Sequence, residues 1–346
     1  MVGMKKFIRK ERLYILLLVF VILINIAVLT TGKDDHARVK PGKAKIPAYQ
    51  LQPSRQDVER IFKEKKYLAV LFSLAMLLIA AIFFLGVLVD TILASMKFAG
   101  NEPAIRTGDP GRVRWNLWDV YKVSILFLFF GHMTVLIESA LVRVFPVLNN
   151  NNFRMILNSS VLDTIGIVFI LYFTIGQYKE RLISLGLTFR NFFKNVFYGV
   201  VAYVAAVPIL IVVLVIIGVA VSVFKYVPER QPVVELFLRE KDPTFLFYTS
   251  IFAAFVGPII EELFFRAFMY QAFKKYVGVF WAVMVTSVFF AALHAHLIGF
   301  LPIMILGIVL CYVYEKTGSI VSSITVHTIH NLSMVFLVFL VKQLMG

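Results

Sequence analysis

The 346-residue chain contains a single cysteine, Cys311, which lies in an apolar run. One cysteine can form neither an intrachain disulfide nor a zinc site built from several thiolates. The sequence also lacks a His-Glu-x-x-His motif, the helical zinc-binding pattern of many metalloproteases. These absences exclude a disulfide-stabilised fold and leave the chain without a standard zinc-protease motif.

Charged residues are scarce as well, at 16% of the chain, whereas hydrophobic residues make up 60% and the mean hydropathy is +0.84. A soluble domain has about 45–50% apolar residues, so most of this chain is expected to lie in lipid. Backbone N–H and C=O groups must find partners inside a segment when water is absent. The long apolar runs are therefore expected to be helices.

Acidic residues are outnumbered, since 20 Asp and Glu face 35 Lys and Arg and give a net charge of +15. The basic residues are scattered through the loops without a DNA-binding or RNA-binding motif, so no nucleic-acid partner is expected. Basic loops are typical of membrane proteins that face anionic headgroups. We therefore expect membrane lipids as partners, and we expect the loop from 178 to 195 to rest on the headgroups.

The apolar residues cluster in segments that predict membrane-spanning helices. These segments lie near residues 13–29, 67–94, 120–145, 159–177, 196–224, 244–273, 277–295, 298–314 and 320–341. The predicted fold class is all-α: a polytopic transmembrane helical bundle of about nine spans with a C-terminal four-helix core.

The same pattern divides the chain into three parts. Residues 1–66 are expected to form an N-terminal anchor helix and a basic polar loop, and the amphipathic end of this loop, 54–66, predicts a short interfacial helix. Residues 67–243 are expected to form additional transmembrane helices and interfacial loops. Residues 244–342 form the four-helix core, in which the chemically informative residues are concentrated.

Three ionisable residues, Glu261, Glu262 and Arg266, interrupt an otherwise hydrophobic run of the core. An ionisable group at membrane depth costs about 2.5–3.5 kcal/mol on insertion scales, so such groups usually face the bundle interior and mark function. Glu262 and Arg266 are four residues apart, which predicts an ion pair on one helix face. Glu261 lies about 100° round the helix from Glu262. The spacing therefore predicts a structural pair and leaves Glu261 available for chemistry.

Two further helices carry polar side chains at helical spacing. His294 follows Phe290 by one turn, and His327 precedes Asn331 by one turn. A single histidine in a membrane helix is most often only an interhelical hydrogen-bond partner. An imidazole and a carboxamide on one face can both donate to one oxygen, which indicates an oxyanion site. Taken together on three neighbouring helices, these residues favour a functional site.

The three patterns Glu261-Glu262-x-x-x-Arg266, Phe290-x-x-x-His294 and His327-x-x-x-Asn331 resemble the motifs of the CPBP, or Abi, family. That family includes the type II CAAX prenyl proteases and bacteriocin-processing enzymes. The flanking residues 257–260 and 314–320 are also similar, and the likeness covers roughly residues 245–341. One departure is Ala267, where the family commonly has glycine.

The resemblance implies peptide-bond hydrolysis in a water-accessible cavity enclosed by transmembrane helices. Glu261 would be the general base that activates water, and His294 would hold that water. His327 and Asn331 would stabilise the oxyanion. Structural support would come from Glu262, Arg266 and Phe290. The implied substrate is a peptide or protein, lipidated or not, in CAAX-type processing or in bacteriocin or peptide maturation.

No cofactor is favoured, and zinc is the alternative. Glu261, His294 and His327 would supply the two histidines and one glutamate of a catalytic zinc site. Under that alternative Asn331 has no obvious role, whereas an oxyanion site uses both Asn331 and His327. The residues therefore favour glutamate-activated water without a metal.

Two other classes of function use the same residue types. An ion-coupled transporter also contains buried acids and histidines, but it predicts internal repeats that the sequence does not show. An inactive membrane immunity protein would retain the fold, although the intact motifs argue against lost activity. The expected location is the cell membrane, as a multi-pass integral protein.

Overall fold

The computed structural model describes residues 10–38, 62–101, 104–108, 112–226 and 231–345. Within these ranges all regular structure is helical and no strand occurs. The prediction of an all-α, polytopic helical bundle is therefore confirmed.

The α-helices are numbered here in chain order. They are α1 (Arg12–Arg38), α2 (Lys66–Phe98), α3 (Leu117–Leu141), α4 (Asn151–Leu171), α5 (Phe192–Val223), α6 (Pro232–Arg239), α7 (Pro243–Ile251), α8 (Gly257–Glu262), α9 (Gln271–Leu293), α10 (Leu297–Thr317) and α11 (Ile320–Met345). Three π-helical segments occur at Tyr172–Gln177, Phe252–Val256 and Leu263–Tyr270, and two 3₁₀ turns at Pro146–Asn149 and Leu182–Leu185.

Each of the predicted apolar segments lies on a helix. By length and composition, 7 helical runs within the described residues can cross a membrane. This number is smaller than the predicted one because the helical run Pro243–Leu293 contains two predicted segments, which meet at a kink where Gly278 has φ 74°. In addition, the apolar part of α1 is the shorter stretch Arg12–Val28. Gly278 adopts its positive φ without steric cost because glycine has no Cβ atom, so the chain changes direction at Gly278.

The chain forms two compact units. Among the described residues, the first unit comprises those within 10–38 and 113–181, and the second comprises those within 62–112 and 182–345. In the first unit, α3 starts with a capping box in which Asn116 and Asp119 each accept a backbone hydrogen bond. Lys122 of α3 forms a buried ion pair with Glu11 at 3.0 Å. Paired charges of this kind allow polar residues to lie inside a membrane bundle.

Helix packing in the second unit depends on small residues. A Cβ atom on Gly199 of α5 would lie 2.6 Å from the carbonyl oxygen of Ser322 in α11, and one on Gly86 of α2 would lie 2.4 Å from that of Val204 in α5. Gly307 of α10 similarly packs against Ser287 of α9. Membrane helices associate through such close contacts because lipid provides no hydrophobic force between them. α11, which carries His327, is therefore held closely against α5.

Some predictions concern residues outside the described ranges. Of the predicted interfacial helix 54–66, the structure describes only residues 62–66. Most of the predicted polar loop before it also lies outside the described ranges. The division into parts 1–66, 67–243 and 244–342 stays a prediction.

Candidate active site

The two glutamates lie at the junction of different helix types. Helix α8 ends at Glu262, and π-helical segments precede and follow it. A π-helix has a wider turn than an α-helix and is frequently found at functional sites. The side chain of Glu262 is fully buried, whereas that of Glu261 is 39% exposed. The adjacent carboxylates therefore have different environments, as the sequence predicted from their angular separation.

Glu262 forms the ion pair that its spacing from Arg266 predicted. Nη1 of Arg266 lies 2.8 Å from Oε1 of Glu262, and both side chains are fully buried. The guanidinium also stacks over the ring of Phe290, at 4.3 Å from the ring centroid. A buried charge requires such compensation, because leaving either partner alone in the interior is costly. Ala267, in the position where the family commonly has glycine, is fully buried in the same π-helical segment.

His327 lies between the two glutamates. Its Nδ1 is 2.9 Å from Oε1 of Glu262, and its Nε2 is 3.8 Å from Oε2 of Glu261. An Nδ1–H that donates to the Glu262 carboxylate leaves a lone pair on Nε2 of the neutral ring. A hydrogen on Nε2 as well would turn that atom into a donor. The sequence did not predict the contact between Glu262 and His327, because it depends on how α8 packs against α11.

Phe290 is the common neighbour of the site. Its ring meets the imidazoles of His294 and His327 edge to face, at centroid distances of 4.9 and 5.6 Å. It also packs against Phe265 of the π-helical segment, at 5.1 Å. The structure thus places Phe290 between the residues that the three sequence motifs contribute.

His294 lies at the C-terminal end of α9. Its Nδ1 is 2.7 Å from the carbonyl oxygen of Phe290, one turn earlier. This backbone contact requires a hydrogen on Nδ1, which directs the lone pair of the neutral ring to Nε2. His294 can therefore accept a hydrogen bond through Nε2.

The amide of Asn331 makes a hydrogen bond that the sequence did not predict. Its amide nitrogen donates to the carbonyl oxygen of Ala253, at 2.8 Å, rather than sharing an acceptor with His327. Ala253 lies in the π-helical segment before α8, where the shifted hydrogen-bond register exposes backbone carbonyls to other donors. One hydrogen of the amide is engaged in this contact, and an amide nitrogen carries two. Asn331 thus fastens α11 to the segment that precedes the glutamates.

Several buried polar atoms of the site have no hydrogen-bond partner within the described part of the chain. They are Oε2 of Glu261, Oε2 of Glu262, and Nε and Nη2 of Arg266. Buried polar groups in native proteins almost always have a partner. Polar atoms of both glutamates are therefore available for further hydrogen bonds.

The zinc alternative requires Glu261, His294 and His327 to converge on one point. Among the residues that the structure describes, no three His, Cys, Asp or Glu side chains are arranged to hold a metal ion. Nδ1 of His327 already contacts Glu262, and Nδ1 of His294 contacts a backbone carbonyl. Both contacts engage Nδ1 and leave Nε2 of each histidine for the site, as in histidines that bind a metal and in histidines that bind water. The metal-free site stays a prediction.

The two remaining histidines of the core have contacts of their own. Nδ1 of His296 accepts from the backbone N–H of Gly299, at 2.9 Å, and caps the start of α10. The ring of His330 packs edge to face against that of Tyr203, with a centroid distance of 6.2 Å. Both histidines thus have local packing contacts.

A comparison with known protein families gives a match within the core. Residues 243–333 match the family model described as type II CAAX prenyl endopeptidase Rce1-like, and the seven predicted site residues all lie within this segment. No curated protein and no solved structure matches the chain. The chain is an integral membrane protein whose segment 243–333 is similar to the type II CAAX prenyl endopeptidases.

Proposed function

We propose that this protein is an intramembrane endopeptidase that hydrolyses a peptide bond near the membrane surface with water activated by Glu261. The proposal is carried by the position of His327 between Glu261 and Glu262. The 3.8 Å between Nε2 of His327 and Oε2 of Glu261 is too long for a direct hydrogen bond. Such a gap suits an oxygen atom, of water or of substrate, held by both groups.

Glu261 is the proposed general base. Its carboxylate takes a proton from water while the water oxygen attacks the scissile carbonyl carbon, and a tetrahedral intermediate with an oxyanion forms. The same proton then passes from Glu261 to the amine that leaves. A carboxyl group in this role must reach both water and its polar partners, and the side chain of Glu261 is partly exposed with Oε2 turned toward His327.

His327 and Asn331 are the proposed oxyanion donors. Protonated His327 would donate from Nε2, and the Glu262–Arg266 pair behind it would hold the ring in place. Asn331 would donate its second amide hydrogen while the first stays bonded to Ala253. Glu262 thus gains a role beyond bracing its helix, since it orients the imidazole.

His294 is the proposed partner of the attacking water. With Nδ1 bonded to the carbonyl of Phe290, its Nε2 accepts a hydrogen bond from that water, while Glu261 accepts the other hydrogen. The water is then oriented by two acceptors. This scheme uses the side chains of the chain alone, and no metal takes part in it.

The proposed substrate is a peptide or protein tail at the cell membrane. CAAX-type processing of lipidated tails and maturation of bacteriocins or other peptides are the two forms of this activity that the family includes. Proteolysis is favoured over ion transport, because His327 couples the carboxylates into one site.

The deciding experiment uses Glu261→Gln, which replaces the base by an amide of the same size. Purified wild-type protein in detergent would be incubated with lipidated and unlipidated peptides, and fragments would be measured by mass spectrometry. Glu261→Gln is expected to abolish cleavage with an unchanged Tm, and Glu235→Gln, in an exposed ion pair, is expected to cleave like wild type. Undiminished cleavage by Glu261→Gln would refute the proposal.

A further inference from the structure

Arg266 has more hydrogen-bond donors than its ion pair uses. A guanidinium carries five N–H hydrogens, and the ion pair with Glu262 engages Nη1. Nε and Nη2 have no partner with full hydrogen-bond geometry within the described part of the chain, although the side chain is fully buried. Buried donors in native proteins almost always have a partner. Further partners of Arg266 are therefore expected on the side of the guanidinium away from Glu262.

Helix α9 covers one side of the guanidinium. Phe290 of this helix stacks against Arg266, with 4.3 Å between the guanidinium carbon and the ring centroid. Ser287 precedes Phe290 by three residues, and residues with this spacing are neighbours on one helix face. Ser287 is fully buried, and its hydroxyl has no partner with full hydrogen-bond geometry among the described residues. Ser287 therefore brings a buried hydroxyl group to the neighbourhood of Arg266.

Helix α10 packs closely against Ser287. A Cβ atom on Gly307 would lie 3.1 Å from Cβ and 3.2 Å from Oγ of Ser287. Cys311 follows Gly307 by one turn, so it lies on the face of α10 that meets α9. Cys311 is fully buried, and its thiol interacts with the hydroxyl of Ser287 and with the guanidinium of Arg266. The two helices thus bring a thiol and a hydroxyl together beside the guanidinium.

The polarity of the Cys311 thiol matters at this position. A buried cysteine most often packs as a small apolar residue. Beside Arg266, however, an apolar side chain would leave N–H groups of a buried cation against hydrocarbon, which is costly. A thiol is both a weak acceptor and a weak donor. Its sulfur can accept from the guanidinium, and its hydrogen can be donated to Oγ of Ser287.

We propose that Cys311 is a positioning residue for the catalytic site: its sulfur accepts a hydrogen bond from Arg266, and its S–H group donates to Ser287. Behind His327, the contacts run from Glu262 to Arg266, and the thiol holds the guanidinium from the other side. A fixed guanidinium fixes the carboxylate that orients the imidazole. The inference rests on the proposed function, in which His327 donates to the oxyanion.

Infrared spectroscopy of the full-length protein tests the thiol contact independently of activity. The S–H stretch absorbs where no other protein group does, and the chain has one cysteine, so the band belongs to Cys311. Donation of a hydrogen bond by the thiol lowers the frequency of this band. In detergent-solubilised wild type the band is expected below that of a simple thiol in hydrocarbon, and Ser287→Ala is expected to raise it. Cys311→Ala, which has no thiol, provides the blank spectrum.

Peptide cleavage tests the positioning role. Cys311→Ala is expected to lower kcat about tenfold at unchanged KM, as is typical when a group that orients a reactive side chain is removed. Cys311→Ser keeps a donor and an acceptor at this position and is expected to restore most of the lost kcat. The packing control is Val313→Ala, because Val313 is buried on the same helix about 200° round from Cys311. This control is expected to lower the Tm without lowering kcat.

Three results would overturn the proposal. A wild-type S–H band at the frequency of a thiol in hydrocarbon would show that the thiol does not donate to Ser287. Equal kcat values for wild type and Cys311→Ala would show that the thiol positions nothing. Equal losses of kcat in Cys311→Ser and Cys311→Ala would show that the size of the side chain, and not its polarity, is required.

The two readouts also separate this inference from the proposed function. Absence of cleavage by wild type would refute the proposed function and, with it, the positioning role. The infrared band would still decide whether the thiol of Cys311 bonds to Ser287. Cleavage that depends on Glu261 but not on Cys311 would leave the proposed function intact and refute the positioning role alone.

Discussion

Nδ1 of His327 lies 2.9 Å from Oε1 of Glu262, and the same oxygen accepts from Nη1 of Arg266 at 2.8 Å. One buried carboxylate oxygen therefore joins a guanidinium of its own helix to an imidazole of α11. A carboxylate behind a histidine fixes the ring orientation and the tautomer, as in many hydrolytic sites. Glu262 is in this way a positioning residue for His327 as well as the partner of Arg266.

The buried triad predicts a strong dependence of stability on Glu262. Glu262→Gln removes the negative charge and leaves Arg266 buried without a counter-charge, which is expected to lower the free energy of unfolding by about 3–5 kcal/mol. The Tm of the detergent-solubilised protein would measure this loss. The exposed pair Glu235–Arg239 is the matched control, because Glu235→Gln is expected to cost about 1 kcal/mol or less.

A double variant tests whether the cost arises from the unpaired guanidinium. Glu262→Gln/Arg266→Gln removes both charges and is expected to be less destabilised than the sum of the single variants. Additive losses in Tm would contradict the assignment of Arg266 as the partner of Glu262.

The position of His327 predicts a loss of activity without unfolding. His327→Gln is expected to reduce kcat about 10²–10⁴-fold, as removal of a proton-transfer or oxyanion group does. His330→Gln is the control on the same helix, because the ring of His330 packs against that of Tyr203. Peptidase assays on both variants, with Tm measured alongside, would check this. Similar losses of kcat in both variants would show that activity depends on the packing of α11 and not on the imidazole of His327.

Asn331 is predicted to have two separable effects. Asn331→Leu removes the hydrogen bond to the Ala253 carbonyl, which is expected to lower stability by about 1–3 kcal/mol. An oxyanion role adds a fall in kcat of about 10²–10³-fold at unchanged KM. Steady-state kinetics together with Tm would separate the two effects. A lower Tm with an unchanged kcat would leave Asn331 as a structural residue only.

Metal analysis bears on the proposed mechanism. Purified active protein is expected to contain zinc well below one atom per chain, and a chelator is expected to leave peptidase activity unchanged. Elemental analysis and activity assays before and after chelation would measure both. Stoichiometric zinc, with activity that disappears on its removal and returns on its addition, would replace the metal-free scheme.

Helix packing predicts opposite effects for two identical substitutions. Gly199→Ala would place a methyl group 2.6 Å from the Ser322 carbonyl oxygen, which is expected to separate α5 from α11 and to lower stability by about 1–3 kcal/mol. Gly218→Ala, in the same helix, meets no atom within 4 Å and is expected to be neutral or stabilising. Thermal unfolding would compare the two variants. Equal Tm values would show that the space between α5 and α11 at Gly199 accommodates a methyl group.

Much of the fold follows from local patterns. Long apolar runs must be helices in lipid, because each backbone group has to be bonded inside its own segment. The ion pair of Glu262 and Arg266 also follows from local spacing, since four residues bring two side chains together on a single helix. The merged run through Gly278 was harder to predict, because it depends on a backbone conformation and not on hydrophobicity.

The contacts between helices have a different origin. The hydrogen bonds of Glu262 to His327 and of Asn331 to Ala253 join residues 65 and 78 positions apart. No periodicity encodes such pairs, because they arise from the way α11 packs against α8 and against the π-helical segment before it. The sequence therefore determines which chemical groups the core contains. The close packing of the helices determines which nitrogen atom faces which oxygen atom.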